Sequence, residues 1–249
     1  MKNDNRPRAY RKDTLLTHLG RNPGAQHGAI NPPVYHASTI LSKNIAEWEN
    51  RPDPRTHFGV VRYGLSGTPT TFALEELLAK IEGGYRAAIV CSGLAAITAP
   101  LQGLLSQGDH LLMVDSAYGP ARNFCNRVLT RMGVETTYYD PLIGDGIAQL
   151  MRPNTKVVYV ESPGSLTFEV QDVPAIAAVA HRHGAKVVMD VLGDAGAVPF
   201  NGALLLQMLQ LHSQSPRHEV SDGTRDGTRR RDARQRQEPP RFIKMRKHT

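Results

Sequence analysis

Four short runs, each closed by an acid, constrain the fold more than any other feature of the chain: "HLLMVD" (110–115), "VETTYYD" (134–140), "KVVYVE" (156–161) and "KVVMD" (186–190). Runs of this length, mostly apolar and rich in β-branched or aromatic residues, predict strands. Helical segments separate them. "ARNFCNRVLTRMG" ends at Gly133, "GIAQLMR" comes after the second strand, and "VPAIAAVAHRHG" (173–184) closes on His183 and Gly184. Upstream, "TPTTFALEELLAKIEGG" repeats Leu74, Leu77, Leu78 and Ile81 at helical spacing and stops at Gly83-Gly84. "AAIV" (87–90) predicts one further strand, turning through "CSG" into helical "LAAITAPLQGLL". Strands alternating with helices predict an α/β fold with a parallel, doubly wound sheet. Ligands of such sheets lie at the carboxyl ends of the strands, where Asp115, Asp140, Glu161 and Asp190 fall.

Composition narrows the class. With 249 residues, 40% hydrophobic and 21% charged, the chain has the length and apolar content for a substantial core. Its longest apolar run, 202–211, is half the roughly 20 residues that span a bilayer. No apolar stretch comes after the charged N-terminus, so no secretory signal is expected. Cys91 and Cys125 suggest no disulfide framework, which points to a reducing, cytoplasmic setting. Three segments emerge: an N-terminal arm (1–62) rich in Pro, Asn and Arg, an α/β body (63–190), and a basic tail (191–249). Residues 217–249 hold eleven Lys or Arg against five Asp or Glu, so six of the seven net positive charges lie there. Residues 212–249 bury too little apolar area to offset ordering and are expected to be disordered alone. The tail could attract nucleic acid non-specifically, but it carries no recognition motif and only Phe242 as an aromatic.

Three places could carry chemistry. Ser92 and Gly93 form a tight turn before a helix, which can cradle a phosphate on backbone N–H groups or serve as a plain joint. Asp190, ending a buried strand, could pair with a cationic ring nitrogen or cap the segment after it. Tyr118, just past the first acid-closed strand, could stack on a ring at the ligand end or be an ordinary loop aromatic. Together they describe one ligand: a flat, phosphorylated, protonatable pyridine, which is pyridoxal phosphate.

"NPPVYHAST", "RYGLSGTPTTFALEE", "SGLAAI", "DSAYGP", "YYDPLIG", "ESPGSLTFEVQDVPAI" and "VVMD" resemble the pyridoxal-phosphate enzymes of cysteine and methionine metabolism. "ESPGS" with "EVQDVP" is similar to the cystathionine β-lyase branch. The resemblance runs from about residue 13 to Asp190. It implies the aspartate-aminotransferase-like (fold type I) large domain. It also implies cleavage of L-cystathionine to homocysteine, pyruvate and ammonia in methionine biosynthesis and transsulfuration. By it, Ser92, Gly93 and Leu94 hold the cofactor phosphate, Tyr118 stacks on the ring and Asp190 keeps the ring nitrogen protonated. Tyr63 reaches toward a neighbour's cofactor in a homodimer or homotetramer. Many relatives have Tyr-Gly-Arg where this chain has Tyr63-Gly64-Leu65. Leucine cannot grip a phosphate, and whether Arg62 does so is left open.

After Asp190 the family continues into Asn-Thr-Trp and, about 25 residues on, Thr-Lys-Tyr, whose lysine forms the Schiff base. No lysine of this chain matches it, since the first after Asp190 is Lys244. On this reading no catalytic residue is assigned, the α/β domain is incomplete, its C-terminal partner domain is missing, and the chain as written is inactive. A change of reading frame near codon 191 would explain both the break and the tail. The alternative is a non-catalytic chain that docks on an intact relative.

Overall fold

The computed structural model of the protein describes residues 12–53, 57–81, 84–192 and 207–212. The chain divides into two compact units, one ending at Ile89 and the other beginning at Val90. Residues 63–89, grouped in sequence with the α/β body, lie in the first unit.

In the first unit, helices α1 (Lys12–His18) and α3 (Pro69–Ile81) pack together, with the short α2 (Ile45–Glu49) on the intervening segment. Gly20 makes the first packing possible. At φ +72° it lies so near α3 that a Cβ would stand 2.8 Å from the Ala73 carbonyl oxygen. Thr39 and Tyr63 form an isolated antiparallel bridge. Arg51 braces that crossing by donating to the carbonyls of Ile40 and Arg62, each at 3.3 Å, and to Ser42 Oγ.

The second unit is built on a five-stranded sheet: β1 (His110–Val114), β2 (Glu135–Tyr139), β3 (Thr155–Glu161), β4 (Lys186–Leu192) and β5 (Gln207–His212), in the order β2-β1-β3-β4-β5. The first four are mutually parallel, as the alternation predicts, and they match the four acid-closed runs. All five residues of β1 are buried, which is why that strand reads as a continuous run rather than an alternating one. Around the sheet lie α4 (Gly93–Leu104), α5 (Gly119–Phe124) and α6 (Val173–Arg182). Their inward side chains, among them Ile97, Leu101, Ala121, Ile176 and Ala180, join the strands in one core with Leu112, Val158 and Val188.

Three local expectations change. Residues 87–90 form no strand; Ala87 is buried to 1% exposure, so burial alone accounts for its apolar character. The helix expected up to Gly133 keeps α geometry only to Phe124. It continues as a π turn (Cys125–Leu129) and a 3-10 turn (Thr130–Met132), where Thr130 donates both its amide and its hydroxyl to the Cys125 carbonyl. Gly133, at φ +77°, then ends it. Past Asp190, β4 runs on to Leu192, and β5 pairs with it antiparallel, a strand the sequence reading did not foresee. Disorder is expected over 212–249; His212 instead ends β5, and residues 213–249 lie outside the described residues.

Candidate functional site

Sheet connectivity decides where a ligand can enter. From β1 the chain moves outward to β2, then returns to β3 on the other side of β1. The connections leaving β1 and β3 run to opposite sides, and the carboxyl ends at such a switch point are where sheets of this kind take their ligands. Two chain segments meet there and are tied together. The Tyr118 N–H donates to Glu161 Oε2 at 2.9 Å, and the Ser165 N–H donates to the Ser116 carbonyl at 2.8 Å. Gly164 permits the approach, because a Cβ there would fall 2.5 Å from Ser116 Oγ.

Glu161 is the register partner of Asp190 across β3 and β4, and the two are 4% and 1% exposed. Tyr159, two residues back and so on the same face as Glu161, donates its hydroxyl to Asp190 Oδ2 at 3.1 Å. Burial raises the Tyr159 phenol well above its ordinary range, and the Asp190 charge adds to this, so Tyr159 remains a donor. Tyr139 sets its height by donating to the Tyr159 carbonyl at 2.9 Å. Burial also pushes the Glu161 carboxyl up to about 7, opposed by the Tyr118 N–H and reinforced by the Asp190 charge. Two buried carboxyls therefore stand side by side, each with its own donor.

On the same unit, Ser92 caps α4 by accepting the Ala95 N–H at 3.1 Å. The amides of Gly93 and Leu94, in the first turn, have no intrahelical acceptor and are available to an anion. No acidic residue lies in that turn to repel one. Tyr118, 40% exposed, stands at the start of α5, where Pro120 comes directly after Gly119. Thus Ser92, Gly93, Leu94, Tyr118 and Asp190 share one compact unit, and Tyr118 and Asp190 are linked through Glu161. Tyr63 belongs to the other unit, where it is 45% exposed with Ser38 Oγ 3.4 Å from its hydroxyl. Sequence reasoning noted Glu161 only as a strand-end acid and did not reach Tyr159. Their two-residue spacing on β3 was visible, but which strand pairs beside them was not.

This donor set fits a phosphorylated pyridine: free helix-start amides for the phosphate, a half-exposed aromatic for the ring face, and a buried carboxylate for a cationic ring nitrogen. Burial raises the Cys125 thiol to about 12, which makes it a core residue and no nucleophile. Among the described residues no group of His, Cys, Asp and Glu is placed to hold a metal ion, and no helix is long and apolar enough to cross a membrane.

A parallel α/β sheet with a helix-start turn at Ser92, a partly exposed Tyr118 and a buried Asp190 on one unit suits a pyridoxal-phosphate-binding protein. The family model for Cys/Met metabolism PLP-dependent enzymes matches residues 13–201, so the chain belongs to that family. The match thus runs on past Asp190. A protein of Rhizobium johnstonii is 54% identical over 178 residues, 72% of this chain and 43% of that one. The cystathionine beta-lyase of Haemophilus influenzae is 39% identical, over 72% of this chain and 45% of its own length. Cystathionine beta-lyase MetC of Escherichia coli is also 39% identical, over 67% and 42%. Among solved structures, cystathionine gamma-lyase from Lactobacillus plantarum, complexed with L-serine, superposes with a TM-score of 0.65 at 28% identity, covering 74% of this chain and 45% of that one. The chain thus spans about half the length of the curated relatives it matches.

Proposed function

We propose that this chain forms the cofactor-binding part of a pyridoxal-phosphate-dependent carbon–sulfur lyase whose substrate is L-cystathionine and whose products are homocysteine, pyruvate and ammonia. One observation carries the reading. At the switch point of the sheet, the turn bearing Tyr118 is hydrogen-bonded to Glu161, and Glu161 lies in register with Asp190. When bound, the cofactor supplies an electron sink for charge developing at the substrate's α carbon. The chain's own residues prepare its place. Ser92, Gly93 and Leu94 take the phosphate at the start of α4, Tyr118 covers one ring face, and Asp190, oriented by Tyr159, pairs with the ring N–H. The names of the curated relatives support cystathionine as the substrate.

Lys156 and Lys186 are exposed at the amino ends of β3 and β4, the opposite edge of the sheet from Asp190. Neither is placed to carry the cofactor covalently, so no lysine among the described residues of this unit links to it, and the elimination step requires a lysine from elsewhere. In an assembled homodimer or homotetramer, Tyr63 reaches toward a neighbouring copy's cofactor. The setting is the reducing cytoplasm, consistent with two free cysteines.

Titrating the purified chain with pyridoxal phosphate tests the reading, with borohydride reduction and peptide mapping afterwards. Saturable binding, weakened at least tenfold by Asp190→Ala and leaving no single stoichiometric lysine adduct, is expected. Binding that is absent, or indifferent to Asp190→Ala, overturns it.

A further inference from the structure

Asp115 closes the first strand run, and the residue that holds it lies seven positions on. Arg122 Nη1 donates to Asp115 Oδ1 at 2.5 Å and also to the Asp115 main-chain carbonyl. The Arg122 main-chain N–H donates to the Tyr118 carbonyl at 3.1 Å, beside the Ala121 N–H at 2.9 Å. One residue therefore closes the turn twice, at its root beyond β1 and at the position that carries the ring. The guanidinium is itself braced. Its carbon lies 4.2 Å from the centroid of the Tyr138 ring on β2, and the Tyr138 hydroxyl donates to Asn126 Oδ1 at 2.8 Å. The side chains of Arg122 and Asp115 are 31% and 60% exposed, so their charge attraction is screened and by itself counts for little. Geometry does more than charge here. A planar guanidinium can lie on an aromatic face and still present an N–H to a carbonyl and a carboxylate at once. The turn is thus tied on both sides, to β3 through Glu161 and to β2 through Arg122. A ring as exposed as that of Tyr118 is fixed less by packing than by how firmly its main chain is held.

We propose that Arg122 is a positioning residue for Tyr118: braced on Tyr138, it closes the 115–122 turn and fixes the half-exposed ring before any ligand ring is stacked on it. The cost of ordering the turn then falls in folding and not in binding, which is how preorganisation raises affinity. Lysine could supply the charge but not the plane that rests on Tyr138, so the role asks for arginine. The stacking role of Tyr118 rests on the cofactor reading; the bracing of its turn does not.

Its test has two arms. In the cofactor-free chain, amide exchange is followed at Ala117, Tyr118 and Ala121, with Leu112 in β1 as the internal reference. Arg122→Gln should speed the three turn amides roughly fivefold relative to Leu112, as the loss of one hydrogen bond implies. Ratios equal to wild type, or a matching rise at Leu112, overturn the bracing. In the second arm, titration with pyridoxal phosphate completes a double-mutant cycle. Arg122→Gln should weaken binding roughly threefold to tenfold when Tyr118 is present and leave affinity unchanged in a Tyr118→Ala background. Equal losses in both backgrounds overturn the role. So does a like loss in Arg152→Gln, which breaks the comparably exposed pair of Arg152 with Glu135 at the amino end of β2. Arg122→Lys, the milder variant, should move both readouts the same way by less, and wild-type values in both overturn the bracing by Tyr138. Failure of wild type to bind pyridoxal phosphate overturns the functional reading and leaves the bracing to be judged by exchange alone.

Discussion

Tyr159 places its hydroxyl 3.1 Å from Asp190 Oδ2 with both groups buried, so its removal takes a donor from a carboxylate sealed from water. Tyr159→Phe is expected to cost about 1–3 kcal/mol, read as a lower urea midpoint, and to weaken pyridoxal phosphate binding alongside it. Two other buried groups make stability depend on pH, with opposite signs. His110 is held between Thr155 Oγ1 at 2.8 Å and Thr137 Oγ1 at 2.9 Å. Burial and the Arg152 charge lower its pKa, with Glu135 opposing. The unfolded chain therefore binds a proton that the folded chain refuses. Stability contributed by His110 is present above about pH 6.5 and is lost as pH falls through its lower folded value. His110→Gln should flatten the fall in urea midpoint between pH 7.5 and 5.5. For Glu161 the folded value is raised, so its contribution is present below the unfolded value of about 4.5 and is lost as pH rises through about 7. Glu161→Gln, which keeps an acceptor for the Tyr118 amide, should gain most over wild type at pH 8 and converge with it near pH 4.

Helix starts separate stability from binding at the scale of the element. Asp172 caps α6 by accepting the Ala175 N–H at 3.0 Å, much as Ser92 caps α4. Either cap replaced by Ala should cost about 1 kcal/mol. Ser92→Ala alone should also weaken pyridoxal phosphate binding, since only that helix start is assigned a phosphate. Equal affinities for the two variants would remove Ser92 from the site. Gly133 ends the α5 continuation at φ +77°, where a Cβ would meet Gln107 Cγ at 2.7 Å. Gly133→Ala is expected to lower stability by roughly 1 kcal/mol or more by thermal melting. That ending was legible in the sequence because a glycine after a helical run is a local signal. The π turn before it was not, because it depends on Thr130 satisfying the Cys125 carbonyl. Residues 87–90 misled for a related reason: four apolar residues record burial, whereas a strand also needs a partner edge.

For the whole molecule, the order β2-β1-β3-β4-β5 puts β3 at the centre of the sheet, with β1 and β4 on either side, and β1 and β3 are buried almost throughout. Amide exchange should be slowest at Leu112 and Val158 and faster on the edge strand β2, whose first residue is exposed. What the sequence by itself determined is local in origin: the type and succession of elements, the acids at the strand ends, the helix-start turn at Ser92 and the motifs that carry family membership. Apolar spacing, glycines and capping residues act within a few positions of one another, so they can be read without coordinates. The tertiary structure alone decided which strands are neighbours. That order places the switch point between β1 and β3, sets Glu161 beside Asp190, brings the Tyr159 hydroxyl to the same carboxylate and joins the Tyr118 turn to Glu161 across 43 residues of chain. Strand pairing is a contest among distant segments for backbone hydrogen bonds and buried area, and no short stretch of sequence records its outcome.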